Sequence, residues 1–186
     1  MSQRILTLLA PGFEEIETVT PVDLLRRAGA EVTLASLGEE PMVTGRNGIT
    51  LRAETSLAAL GQEAARFDLL FIPGGPGVAA LRADPRVPNL ARAYAQAGRP
   101  IAAICAAPAV LGDAGLLEGR RFTAHFSIAG EFPGAAMEER VVEEGHLITS
   151  RGAGTALDLG LALVRRLYGP EKAAEIAESI MASWSA

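Results

Sequence analysis

The chain has 186 residues and a formal net charge of −5, a length that suits one domain spanning 1–186 and burying about 70% of its unfolded surface. One cysteine excludes an internal disulfide and a multi-cysteine zinc site, and two histidines argue against a histidine-based one, so no metal is expected and a reducing, cytoplasmic setting suits the chain. The acidic balance, with basic residues gathered only in pairs such as Arg26-Arg27 and Arg165-Arg166 on helical faces, leaves no electrostatic footprint for nucleic acid.

The first apolar run, residues 5–10, reads as a buried strand. It is short and is followed at once by Pro11-Gly12 and three glutamates, so it does not read as a targeting segment, and no apolar run approaches a membrane span. Residues 13–28 carry Ile16, Val19, Val22, Leu24 and Leu25 at helical spacing and stop at Gly29; Pro21 should kink this helix or divide it. Residues 31–35 form the next strand. Within residues 42–51, Asn47-Gly48 lies between apolar residues and marks a hairpin, an insertion that adds an edge or a partner contact. Strand 69–72 runs into Pro73-Gly74-Gly75-Pro76-Gly77, and helix 85–98 follows, with Pro85 near its start and Gly98 at its end. Strand 101–104 meets Cys105 and an alanine-rich helix at 106–111. Strands at 122–124, 140–143 and 147–150 precede closing helices at 153–169 and 170–182. Strands alternating with helices argue for an α/β fold, a mainly parallel sheet covered by helices on both faces with an inserted β-hairpin.

Cys105 is the residue that carries chemistry. A lone cysteine often packs as a small hydrophobe, but this one stands where a buried strand turns into a helix, and unpaired N–H groups at such a turn favour thiolate over thiol. The glycine turn after strand 69–72 falls at the same carboxyl edge of a parallel sheet, where such folds bind ligands. Its glycines let backbone approach closely, so the N–H groups of Gly74, Gly75 and Ala106 are candidate donors to an oxyanion. Glu14, Glu15 and Glu17 open the first helix. Two of them are ordinary complements to its dipole, while Glu17, about one turn in, is placed to lean across the sheet edge toward the thiol. An ionised Glu17 would raise the thiol pKa and a protonated one would donate a hydrogen bond to thiolate, so Glu17 is expected to rest neutral. A helix terminus worth up to about 2 kcal/mol moves a thiol by only about 1.5 pH units, which makes that extra donor count.

These segments in this order resemble the DJ-1 branch of the DJ-1/PfpI superfamily. The resemblance spans nearly the whole chain: residues 14–29, Pro73-Gly74-Gly75, Ala102-Ala103-Ile104-Cys105-Ala106, Ala124-His125 and Thr149-Ser150-Arg151-Gly152-Ala153-Gly154-Thr155. It implies a flavodoxin-like fold, Cys105 as reactive centre, Glu17 as its carboxylic partner and His125 close by. It also implies a homodimer built on the first helix and the hairpin, with Arg27 and Arg46 near the partner. The alternative histidine, His146, lies in a turn. The pattern departs from the family at Phe126 and Ala153, where proline is common, and both border the expected pocket. Ala106 stands where PfpI-type members carry histidine, which argues against a peptidase-like Cys-His dyad.

The resemblance implies cofactor-independent chemistry on small reactive carbonyls, of glyoxalase III or deglycase type, within an oxidative and carbonyl stress response. Cys105 would attack the carbonyl as nucleophile, with Glu17 and His125 moving protons. The competing reading is a redox-sensing stress protein with a chaperone-like role, switched by oxidation of Cys105 to sulfinate. With no second cysteine to resolve a sulfenate, sulfinate or an external thiol is favoured over a disulfide. Nucleotide binding through Gly152-Ala153-Gly154 is an incomplete fingerprint that helix capping explains better. An amidotransferase-like hydrolase ranks low for want of a partner motif.

Overall fold

The central strands carry apolar side chains on both faces, so helices have to cover both. The computed structural model describes residues 2–183. In chain order its elements are β1 (Arg4–Leu9), α1 (Glu15–Arg27), β2 (Glu31–Ser36), β3 (Met42–Thr44), β4 (Thr50–Arg52), β5 (Thr55–Ser56), α2 (Leu57–Leu60), β6 (Leu69–Ile72), α3 (Val78–Ala83), α4 (Arg86–Gln96), β7 (Ile101–Ile104), α5 (Pro108–Asp113), β8 (Val141–Glu144), β9 (Leu147–Ser150), α6 (Ala156–Tyr168) and α7 (Pro170–Ser179). The main sheet runs β5-β2-β1-β6-β7-β9-β8, parallel except for the β8 edge, while β3 and β4 pair antiparallel on their own. This is the flavodoxin-like α/β sandwich.

Strand alternation splits the core in two. Leu6, Leu8, Leu70, Ile72, Ile101 and Ala103 face α3, α4 and α5. Ile5, Leu9, Leu69, Phe71, Ala102 and Ile104 face α1, α6 and α7. The order of strands reverses between β1 and β6, and β7 lies one strand further on, so the turns after β1, β6, β7 and β9 gather at one carboxyl edge.

Three expectations need correction. Residues 122–124 form no strand; β7, whose end they meet through the His125 N–H bond to the Cys105 carbonyl, is already paired on both sides, by β6 and β9. The segment instead crosses the edge, with Thr123 N–H donating to Thr149 Oγ1 and Ala136 N–H to the Phe122 carbonyl. Pro21 does not divide its helix: α1 continues through it. Gly160 on α6 has no side chain, and a Cβ there would come within 3.1 Å of the Pro21 Cα, so the two helices cross closely at this point and packing holds the turn. The C-terminal helix also begins later than residue 153, since Ala153–Thr155 is a 3-10 turn leading into α6.

Asn47-Gly48 does turn a hairpin, with Gly48 at φ +87°. The turn is fastened to α1 by the buried carboxylate of Glu15, which accepts from Asn47 N–H at 2.7 Å, from the Asn47 side-chain amide at 3.0 Å and from Ile49 N–H at 3.4 Å. Burial works to raise the Glu15 pKa, and these donors outweigh it, holding the carboxyl below its ordinary value. Its stabilisation is therefore present above the unfolded carboxyl pKa and lost as pH falls through the folded one. Replacing Glu15 by alanine strands two backbone donors and is expected to cost about 1–3 kcal/mol. Calorimetry would register this as a melting point lower by roughly 2–4 °C per kcal/mol.

Candidate active site

Four turns at the carboxyl edge build the site. Cys105 follows β7 and takes φ +65°, a left-handed conformation that non-glycine residues seldom adopt. Its backbone is pinned from both sides: Cys105 N–H donates to the Ser150 carbonyl at 2.9 Å, and the Cys105 carbonyl accepts from His125 N–H at 2.8 Å. The strained turn thus holds a half-buried thiol at the end of a central strand. α5 starts only at Pro108, so the helix does not begin at the sulfur. The donors that face the sulfur are the N–H groups of Ala106 and Gly75.

The glycines after β6 are required by crowding. A Cβ on Gly74 would overlap the Glu17 carboxylate, come within 2.5 Å of the Cys105 Cβ and lie 2.8 Å from the Ile104 carbonyl. Gly75 has φ +93°, and a Cβ there would stand 2.5 Å from the Gly12 carbonyl. The Gly74 carbonyl accepts from Glu14 N–H, which locks this turn to the start of α1. The expected donors divide: Gly75 and Ala106 serve the sulfur, while the Gly74 amide faces the Glu17 carboxyl.

Glu17 is 1% exposed. Glu14 caps α1 by accepting from Glu17 N–H at 2.8 Å, which fixes where the Glu17 side chain leaves the helix. Its Oε1 points toward Gly152, and the Ala153 amide also faces the carboxyl; its Oε2 lies by Gly74 and Cys105, buried with no conventional hydrogen-bond partner. Burial, and secondarily the nearby Glu14 charge, push Glu17 up to about 7.

The thiol departs from the sequence expectation. Burial first, then an ionised Glu17, push Cys105 up to about 12, against the pull of the Gly75 and Ala106 amides. A thiolate is therefore not secured by the turn alone. The carboxyl and thiol titrate as a pair: the first proton leaves near neutrality and a second negative charge is opposed. Either proton can bridge the pair: the Cys105 thiol hydrogen-bonds an ionised Glu17 and lowers its pKa, and a protonated Oε2, buried with no conventional hydrogen-bond partner among the described residues, is placed to donate to a sulfur that already faces two N–H groups.

His125 sits at the rim, held by its backbone bond to Cys105. Its Nδ1 accepts from Ser127 N–H at 3.3 Å and lies 2.9 Å from Ser127 Oγ, which leaves the proton of the neutral ring on Nε2. Among the described residues no hydrogen bond joins the ring to Cys105 or Glu17. The wall that Glu17 and His125 share is Gly152, where a Cβ would stand 3.7 Å from both Glu17 Oε1 and His125 Cδ2. That the Ala153 amide faces the Glu17 carboxyl was not anticipated. The small residues Gly152-Ala153-Gly154 after a strand were its available signal, read as a helix cap, and they do cap: Thr155 Oγ1 lies 3.2 Å from Gly152 N and 2.9 Å from its carbonyl. His146 lies at the opposite end of β9, away from the site.

Comparison with known proteins agrees with this fold. The family model described as "DJ-1/PfpI family" matches residues 3–166. The chain belongs to the DJ-1/PfpI family. It is 36% identical to Protein dj-1beta of Drosophila melanogaster, an alignment covering 100% of both chains. It is 34% identical to the glutathione-independent glyoxalase DJR-1.2 of Caenorhabditis elegans, covering 90% of each. The structure of oxidized Toxoplasma gondii DJ-1 superimposes with a TM-score of 0.92 at 34% identity, over 98% of this chain and 100% of that one. Among the described residues no helix is long and apolar enough to cross a membrane, and no cluster of His, Cys, Asp and Glu could hold a metal ion.

If Oε2 donates to the sulfur, Glu17→Leu removes a hydrogen bond to a charged group, worth about 1.5–3 kcal/mol. The pH midpoint of Cys105 alkylation by iodoacetamide is then expected to rise by about 1–2 units. A midpoint that falls instead would mean the resting charge sits on Glu17.

Proposed function

We propose that the protein converts small 2-oxoaldehydes such as methylglyoxal to 2-hydroxy acids without glutathione or another cofactor, as part of a carbonyl and oxidative stress response. The observation that carries this reading is the buried, unpartnered Glu17 Oε2 beside Cys105. A carboxyl that titrates near neutrality next to a nucleophile is suited to give a proton and take one back. The glutathione-independent glyoxalase among the relatives supports the same choice.

The steps follow from the groups present. Cys105 thiolate adds to the aldehyde carbon, and the new oxyanion is met by the Gly75 and Ala106 N–H groups before taking the Glu17 proton. The carboxylate so formed removes the C–H proton of that carbon, giving an enediolate, and returns it to the neighbouring carbon, while the hydroxyl proton of the first carbon passes to the oxygen of the second. A hemithioacetal thereby becomes the thioester of a hydroxy acid. One carbon is oxidised to the acid level while its neighbour is reduced to an alcohol, so no external oxidant is consumed. Water then cleaves the thioester, releasing lactate and restoring the sulfur. His125, whose neutral ring carries its proton on Nε2, offers a hydrogen-bond donor at the rim. The same residues could act on adducts of such aldehydes with amines or thiols, a deglycase reaction.

Incubation with methylglyoxal and no glutathione is expected to yield lactate of one hand, and Cys105→Ser to reduce the rate to that of buffer. Buffer-level rates in the unmodified protein would instead favour oxidation sensing through the same sulfur.

Homodimerisation belongs to the same proposal. Ile16 and Val19 on α1 and Met42 and Ile49 on the hairpin are 54%, 45%, 56% and 57% exposed, and the Glu15 tie draws the hairpin turn against the helix start. Such a shared apolar face is what an interface buries. A glutamate at Ile16 together with one at Ile49 is expected to halve the mass measured by analytical ultracentrifugation.

A further inference from the structure

A cavity of about 350 Å³ lies along the wall that Glu17 and His125 share, lined by His125, Phe126, Arg140, Arg151, Gly152 and Ala153 among others. Its volume falls in the range of pockets that take drug-sized molecules, roughly 300–1,000 Å³, whereas methylglyoxal has only a handful of heavy atoms. Among the described residues no carboxylate lines it. Of its two arginines, Arg140 is already neutralised, with Nη2 2.7 Å from Asp158 Oδ2 and 2.8 Å from the Gly154 carbonyl. Arg151 is half-buried and has no ion-pair or hydrogen-bond partner among the described residues. A guanidinium held at the wall of a cavity with no acid facing it is a site for an anion, since its planar fork matches a carboxylate or phosphate.

The chain order makes the placement useful. Arg151 directly precedes Gly152, where a Cβ would stand 3.7 Å from Glu17 Oε1, and Gly152 and His125 line the same cavity, so an anion on Arg151 leaves the rest of its molecule along the wall behind which Glu17 lies. We propose that Arg151 binds the anionic end of the substrate, and that the preferred substrates are 2-oxoaldehydes carrying a carboxylate or phosphate at the end remote from the aldehyde. The inference rests on the 2-oxoaldehyde reading above and names its substrate class. Phe126, 73% exposed with its ring 4.0 Å from that of His125, forms an apolar rim on the cavity for the carbon chain between the two ends.

The decisive measurement does not need turnover. Cys105 is alkylated in parallel by iodoacetate and by iodoacetamide, reagents alike in size that differ by one negative charge, in the unmodified protein, Arg151→Gln and Arg151→Lys. The iodoacetate-to-iodoacetamide rate ratio is expected to fall about tenfold in Arg151→Gln, the loss of one charge-assisted hydrogen bond, to be largely kept in Arg151→Lys, and to shrink with added salt. A ratio unchanged in Arg151→Gln overturns the proposal. In the second arm, kcat/KM is compared for methylglyoxal and 4,5-dioxopentanoate, which carries a terminal carboxylate. The anionic substrate is expected to be preferred by about tenfold, with the preference vanishing in Arg151→Gln. Turnover of methylglyoxal without that preference refutes the anion site and leaves the activity standing. A charge-dependent alkylation ratio with neither aldehyde consumed refutes the activity and leaves the anion site standing.

Discussion

Burying a carboxyl beside a thiol sets the terms for everything around them. Two negative charges at close quarters in a desolvated site repel strongly, so Glu17 and Cys105 together accommodate one. The environment then has to say where that charge goes and how it moves. Gly75 and Ala106 present N–H groups to the sulfur, Gly74 and Ala153 present theirs to the carboxyl, and Oε2, with no conventional hydrogen-bond partner among the described residues, lies beside the thiol. A pair poised in this way near neutrality suits repeated proton transfer to and from an adjacent carbon better than a permanently ionised thiolate would.

Three glutamates within four residues show how one sequence run is divided among separate tasks. Glu14 caps the helix, Glu15 fastens the hairpin and Glu17 enters the site. Each depends on the others. The cap fixes the helix start from which Glu17 projects, and the hairpin tie keeps the apolar face of α1 continuous with that of the hairpin. Catalytic geometry and the proposed dimer face are thus built from the same turn of helix, on opposite sides of it.

Much of the architecture was legible. Period and turn residues located β6, β7, β9, the hairpin and the long helices, because these signals are local. What local signals missed was competition for space. Residues 122–124 have the composition of a strand, but β7 beside them is already paired on both sides. Pro21 has the chemistry of a helix breaker, yet Gly160 on α6 lets the helices close on it. The short α3 left no clear trace, since six residues carry little periodicity.

For the site, the sequence by itself singled out Cys105, Glu17 and the glycines beside them, which the fold does bring together, because a lone cysteine at the end of a buried strand and small residues at a turn are local signals readable in one dimension. Only the tertiary structure decided the charge state and the reach of the pocket. Burial depends on what packs around a group, and it reversed the expected shift of Cys105. Arg151 likewise became distinctive only when, among the described residues, Arg140 proved to be paired and Arg151 did not, a difference set by which residues the fold brings alongside each.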